Sequence, residues 1–215
     1  MILAAGRGNR LRPLTDQTPK PLLPVQGKPL IEWQVESLAR VGVRSAIINL
    51  HHLGEQIAAY LGAGDRFGMD IEYSREVELL ETGGGIAQAL PFFEGAPFWL
   101  VNGDIWSDFD FTTLPHHYDP GARGNRAHLV LTPTPDFREH GDFDYAAGQV
   151  TQRGDAYVYC GIAVLDPALF ADRVGERFSF QETMFALTAS GQLGAQIHDG
   201  TWLDIGTPAQ YASVR

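Results

Sequence analysis

The chain has 215 residues, 44% of them hydrophobic, with a formal net charge of −10 at pH 7 and a single cysteine. A chain of that length buries roughly 70% of its unfolded surface, enough for one domain with a lobe grown from its loops. The charge excludes a general nucleic-acid binder, which carries a basic stripe, and the lone Cys160 excludes an internal disulfide framework or a cysteine-rich zinc site.

The opening MILAAGRGNR reaches glycine and arginine too early for a signal-peptide apolar region. No stretch approaches the roughly 20 apolar residues that span a bilayer. A cytoplasmic protein with no membrane or nucleic-acid partner is expected. Cys160, inside AYVYCGIAVLD, reads as a buried spectator.

In chain order, apolar runs predict strands at Ile2–Ala5, Ala46–Leu50, Ile71–Ser74, Phe98–Asn102, His128–Thr132 and Tyr157–Leu165. The first has only three residues before Ala4, short for a central strand, as if further residues preceded it. Between the early strands, Ile31, Val35, Leu38 and Gly42 share one helical face, and Leu53, Ile57 and Leu61 another. Alternating strand and helix predicts a mostly parallel sheet covered on both faces. Ligands then bind beyond the carboxyl ends of the strands, where AAGRGNR and NGDIW both fall. The Pro-, Gly- and His-rich segment 115–126 reads as a connection. Strands dominate after it, with one helix at Phe180–Ala189 and a short one after Pro208. Within a single domain this gives a nucleotide-binding half (about 1–110) and a substrate-binding half (about 111–215).

The basic residues are unevenly placed. Residues 1–28 hold Arg7, Arg10, Arg12, Lys20 and Lys28 against Asp16 alone, and these are the only lysines in the chain. A compact ammonium in one segment suits a small, highly charged anion. In Leu3-Ala4-Ala5-Gly6-Arg7-Gly8-Asn9-Arg10, a glycine turn after a strand lets backbone N–H groups approach phosphate oxygens. The dinucleotide fingerprint fails because Leu11 stands where its third glycine belongs, and no P-loop is present. Downstream, Thr18-Pro19-Lys20-Pro21-Leu22-Leu23-Pro24-Val25 uses three prolines to hold Lys20 on a stiff, extended segment.

LAAGRGNRLRPLT followed by PKPLLPV resembles the signature of the sugar nucleotidylyltransferases, and ETGGG, VNGD and WLDIGTP extend the likeness over nearly the whole chain. The resemblance implies a Rossmann-like (GT-A-like) three-layer α/β/α nucleotidyltransferase fold with an inserted substrate-binding lobe. It implies that Arg10 and Lys20 grip phosphates beside a turn of Ala5, Gly6, Gly8 and Asn9. Thr82 and Gly83 become base contacts, in a run of three glycines before a helix over Ile86–Leu90. Two strand-end carboxylates, Asp104 and Asp204, become ligands of a catalytic Mg²⁺, a hard ion that takes a few carboxylate oxygens plus substrate phosphates. Asn102, Asp142 and Gly161 are the sugar-side candidates.

By that resemblance the substrates are a nucleoside triphosphate and a sugar 1-phosphate. The attacking phosphate is already ionised, so charge neutralisation and alignment are the main tasks, with no general base required. The short chain, LETGGG and LVNGDIW look most like the N-acetylmuramate-1-phosphate uridylyltransferases of peptidoglycan recycling; mannose-1-phosphate guanylyltransferase is the runner-up, with glucose-1-phosphate thymidylyl- and uridylyltransferases also weighed. The chain departs from many relatives in lacking a Glu-Lys-Pro segment: the region reads Gln149-Val150-Thr151-Gln152-Arg153. A non-catalytic nucleotide-sugar-binding subunit would typically lose Arg10, Lys20 or an aspartate, and all are present. A GT-A glycosyltransferase would not need the glycine turn with PKPLLPV, and Asp108-Phe109-Asp110 does not sit at a strand end as its DxD motif would. The pairs His51-His52 and His116-His117 lack metal-ligand spacing and read as loop residues.

Overall fold

The structure, a computed structural model, describes residues 1–115 and 124–214. The pair His116-His117 and much of the expected connection lie outside the described residues. In order, the elements are β1 (Ile2–Leu3), β2 (Pro24–Val25), β3 (Lys28–Pro29), α1 (Leu30–Arg40), β4 (Ser45–Leu50), α2 (Gly54–Leu61), β5 (Asp70–Arg75) and α3 (Glu81–Ala89). They continue with β6 (Phe98–Asn102), β7 (Ile105–Ser107), β8 (Ala127–Pro133), β9 (Phe143–Ala146), β10 (Gln149–Leu165), α4 (Phe180–Ala189), β11 (Leu193–Ile197), β12 (Trp202–Asp204) and α5 (Pro208–Val214).

The main sheet runs β11-β8-β10-β6-β1-β4-β5, with β9 on β10. Neighbours are parallel at β1–β4, β1–β6, β4–β5 and β8–β11; β10 alone runs against both β6 and β8. The mostly parallel α/β sheet expected from the sequence is therefore the one observed.

Each central strand buries side chains on both faces, because alternate residues point to opposite sides. Ile2, Ile48, Val101, Val130 and Ile162 join Val35 and Leu38 of α1 and Ile57 and Leu61 of α2 in one core. Their neighbours Ile47, Leu100, Leu129 and Ala163 join Ile86 of α3 and Met184 and Leu187 of α4 in the other. Apolar residues on both faces make these strands read as unbroken hydrophobic runs. A third, smaller cluster places Leu11, Leu23, Val25 and Leu30 against Ile205 and Tyr211 near the carboxyl terminus. Leu11 is 1% exposed, so the position that breaks the dinucleotide fingerprint is a packing anchor for the loop after β1.

Three local expectations need correction. β1 stops at Leu3, so Ala4 and Ala5 already belong to the turn. The glycines at 83–85 do not precede a helix; they lie within α3, which begins at Glu81. Lys20 is not on an extended segment: after an extended Pro19 (φ −62°, ψ 142°), Lys20–Leu22 form one tight 3-10 turn. Proline at position 21 fits that turn, since its fixed φ suits the first helical positions.

Candidate active site

β1 ends between β4 and β6, with Leu3 opposite Asn49 and Asn102. The turn that follows therefore emerges at the carboxyl rim of three parallel strands. Gly8 has φ +61°, and a Cβ there would stand 2.8 Å from Thr15 Cγ2; the loop closes only because that atom is missing. Thr15 Oγ1 donates to the Gly8 carbonyl at 2.9 Å, tying the loop down. Gly6 faces the opposite situation, with nothing within 4 Å of its ideal Cβ position, so its backbone borders open space.

That space is a cleft of about 240 Å³ bordered by Ala4, Gly6, Gly8, Asn9, Arg10, Lys20, Asp104 and Gly206, with Leu3, Leu11 and Pro21 behind them. Two elements bring the aspartates together. β6 ends at Asn102, Gly103 packs on the Leu3 carbonyl, and the chain turns through Asp104 into β7. β7 pairs antiparallel with β12 in a separate ribbon that sets Asp204 opposite Ile105. Residues 100 positions apart in the chain thus become neighbours.

Lys20 joins them. Its Nζ donates to Asp104 Oδ2 at 2.6 Å and lies 3.7 Å from Asp204 Oδ1. The lysine is 6% exposed, and a buried ammonium is tolerated only with such partners. The ring of charge is completed by Arg10. A Cβ on Gly206 would fall 2.8–2.9 Å from the Arg10 guanidinium, so that planar group lies flat against a glycine from the loop after β12.

The remaining candidates are not among the residues that border this cleft. Asn102 packs its side-chain amide against Gly161, whose φ is +78° and whose missing Cβ would stand 2.7 Å from Asn102 Nδ2. Gly161 occupies the irregularity between Tyr159 and Ala163 where β10 shifts register on β8. Asp142 Oδ2 accepts from the Tyr159 amide at 3.0 Å, and its Oδ1 lies 3.6 Å from Arg138 Nη2. Thr82 Oγ1 accepts from the Phe180 amide at 2.8 Å, and Gly83 N donates to the Phe178 carbonyl at 2.9 Å. A side chain on Gly83 would overlap the Phe178 ring, so the close approach that this glycine permits is to the chain itself. Ala5 is buried between the cleft-lining Ala4 and Gly6.

Sequence reasoning missed Asn49 and Glu76, buried polar residues behind the turn, and Gly206 as the surface on which Arg10 rests. A lone asparagine near the end of the apolar run AIINL was the available signal for the first. The features read as bland have ordinary partners. His51 Nδ1 and His52 Nε2 bond the carbonyls of Glu76 and Thr15, Asp110 caps the Thr112 amide, and Asp108 accepts from Thr201 N. Burial pushes the Cys160 thiol well above its usual range, with the Asp142 charge adding to the effect. Among the described residues no cluster of three or more His, Cys, Asp or Glu side chains is placed to hold a metal, and no helix is long and apolar enough to cross a membrane.

The family model described as "Nucleotidyl transferase" matches residues 1–215. The chain is 41% identical over 220 residues to the N-acetylmuramate alpha-1-phosphate uridylyltransferase of Neisseria meningitidis serogroup B, covering 96% of this chain and 92% of that one. It is 30% identical over 227 residues to the mannose-1-phosphate guanylyltransferase catalytic subunit beta of Dictyostelium discoideum, covering 99% of this chain and 62% of the relative. Among solved structures, HddC from Yersinia pseudotuberculosis superposes with a TM-score of 0.80 at 25% identity, covering 99% of this chain and 96% of that one.

Proposed function

Since the chain belongs to the nucleotidyl transferase family and is a sugar-1-phosphate nucleotidylyltransferase, we propose that it joins UTP to N-acetyl-α-muramate 1-phosphate, in the cytoplasm, as a step of peptidoglycan recycling. The 41% identity to the Neisseria meningitidis uridylyltransferase across nearly both whole chains supports this pair of substrates. The observation that carries the chemistry is the ammonium of Lys20 set against Asp104 and Asp204 at the mouth of the glycine turn.

In the reaction, a sugar-phosphate oxygen forms a bond to the α-phosphorus while the bond from that phosphorus to the β-phosphate bridging oxygen breaks, releasing pyrophosphate. The two substrates together bring about six negative charges near neutrality, and two unit charges at 4 Å interact by roughly 4 kcal/mol at an intermediate dielectric. Positioning cations against that repulsion is the catalytic task. We assign Arg10 and Lys20 to the α-phosphate and the departing pyrophosphate, and the backbone of Ala5, Gly6, Gly8 and Asn9 to the phosphate oxygens. Thr82 and Gly83 are assigned to the base, and Asn102, Asp142 and Gly161 to the sugar. The half before about residue 110 then carries the nucleotide contacts, and the half after it, with Asn102 at the seam, carries the sugar phosphate.

Asp104 and Asp204 both lie within 3.7 Å of one ammonium, so a single ion can reach both. An all-oxygen pair of carboxylates suits Mg²⁺, which fills its remaining positions with water and phosphate. When bound there, the ion would supply Lewis-acid neutralisation of the phosphates. The protein's part is to present the two carboxylates and to let Lys20 turn from them toward substrate.

A pyrophosphate-release screen of five triphosphates against a panel of sugar 1-phosphates tests the assignment. Turnover with UTP and N-acetylmuramate 1-phosphate is expected. Strong activity only with GTP and mannose 1-phosphate, the second reading raised by the Dictyostelium discoideum relative, would replace the substrates while leaving the enzyme class intact.

A further inference from the structure

Two buried polar side chains lie outside the cleft yet connect two of its surroundings. Asn49 is 2% exposed and Glu76 5%. Asn49 stands near the end of β4 between the buried Ile48 and Leu50, and Glu76 directly follows β5. Asn49 Oδ1 accepts from the Ala4 amide at 2.8 Å, and its Nδ2 donates to Glu76 Oε1 at 2.7 Å. The other carboxylate oxygen, Oε2, accepts from the Leu80 amide at 2.9 Å. Gly85 of α3 closes the pocket, since a Cβ there would stand 2.6 Å from Glu76 Oε1 and 2.8 Å from Asn49 Nδ2.

The bonds form one path from Ala4, the first residue past β1 and part of the cleft lining, to Leu80, which precedes α3. Replacing both members of a buried hydrogen-bonded pair by apolar groups of the same shape can be nearly neutral in stability. What an apolar pair could not do is accept from both the Ala4 and Leu80 amides and hold them at a fixed separation.

We infer that Asn49 and Glu76 are positioning residues that fix the distance between the phosphate-binding turn and the base-binding start of α3. Neither touches substrate; they act by keeping two nucleotide-contacting segments in register. This rests on the assignment of both segments to the nucleotide. It predicts that the pair matters for a ligand spanning the two segments and little for one held by the turn alone.

The test is steady-state kinetics of Glu76→Gln, which keeps the shape but removes one acceptor, and Asn49→Ser. The KM for the triphosphate should rise about tenfold, with the sugar 1-phosphate KM within about twofold and kcat within about threefold of wild type. Pyrophosphate, which has no base, should inhibit each variant within about threefold of its wild-type constant. If the wild type saturates with no nucleoside triphosphate, the nucleotide assignment falls. If it saturates and the variants keep its triphosphate KM, the positioning inference alone falls. A uniform loss across all ligands, or a lowered melting temperature with unchanged kinetics, shows a merely stabilising pair and also overturns it. Should Glu76→Gln fail to fold, Asn49→Ser carries the comparison; unfolding of both counts against the inference.

Discussion

Lys20→Met removes the one buried ammonium at the cleft while keeping an unbranched side chain one atom shorter. In the structure that ammonium lies 2.6 Å from Asp104 and 3.7 Å from Asp204. At an effective dielectric constant of about 20, each contact is worth roughly 4–6 kcal/mol before desolvation. Burying Lys20 returns most of that, and the two aspartates, 36% and 31% exposed, recover water once the lysine is gone. Breaking a fully buried pair costs about 3–5 kcal/mol, so for these half-open carboxylates a loss of about 2 kcal/mol is expected. For a chain of this size that lowers the melting temperature by about 4–8 °C. Turnover should fall at least about a hundredfold, the scale of losing one electrostatic stabiliser. The two carboxylates are left uncompensated, so a divalent ion should bind the variant more tightly than the wild type. Mn²⁺ titrations followed by calorimetry and by thermal unfolding read both effects. The melting temperature of Lys20→Met should rise further with Mn²⁺ than that of the wild type, because an ion binding only the folded state stabilises it by mass action. Equal shifts in the two proteins, together with turnover within about threefold of wild type, would refute the reasoning.

Asp104→Asn and Asp204→Asn should each cut kcat about a hundredfold or more and weaken Mn²⁺ binding; intact Mn²⁺ affinity in either would remove that residue from the proposed ligand pair. Gly206→Ala places a methyl 2.8 Å from the Arg10 guanidinium. The arginine swings away, so turnover is expected to fall about tenfold with the melting temperature almost unchanged. Gly83→Ala forces a clash with the Phe178 ring, and overpacking of that kind costs about 1–3 kcal/mol, readable by urea unfolding. Cys160 should resist thiol reagents in the native protein at pH 8, since burial raises its pKa and holds it as the neutral thiol. Reaction at the denatured rate without denaturant would contradict that burial.

The parallel sheet was legible because its strands are buried on both faces, which leaves apolar runs such as AIINL and FWLVN with helical patterns between them. The phosphate-facing residues were legible for a different reason. Glycine, proline and lysine carry backbone and charge requirements that show in one short segment. What stayed hidden depended on contacts distant in the chain. The glycines of α3 look the same in sequence whether they face a ligand or the chain itself, and the structure shows residues 176–178 against Gly83 and Gly84 and the Asn49–Glu76 pair against Gly85. Lys20 lies in a tight turn because Pro21 can start one, yet three nearby prolines suggested extension. Glu76 looks like any surface acid until Asn49 and Leu80 are seen to bond it.

The ribbon of β7 and β12 is a sheet of its own, anchored in the first core through Ile105 and Trp202, and its register sets Asp204 beside Asp104. Side chains along a strand alternate between two directions, so sliding β12 by a single position would aim Leu203 or Ile205 at the cleft instead. A one-residue insertion or deletion between Trp202 and Asp204 would leave the main sheet in place, yet pull Asp204 off Lys20, displace Ile205 from the third cluster and strip the site of half its acidity. Chain length in that three-residue stretch is thus under tighter constraint than chain length in the loops around it.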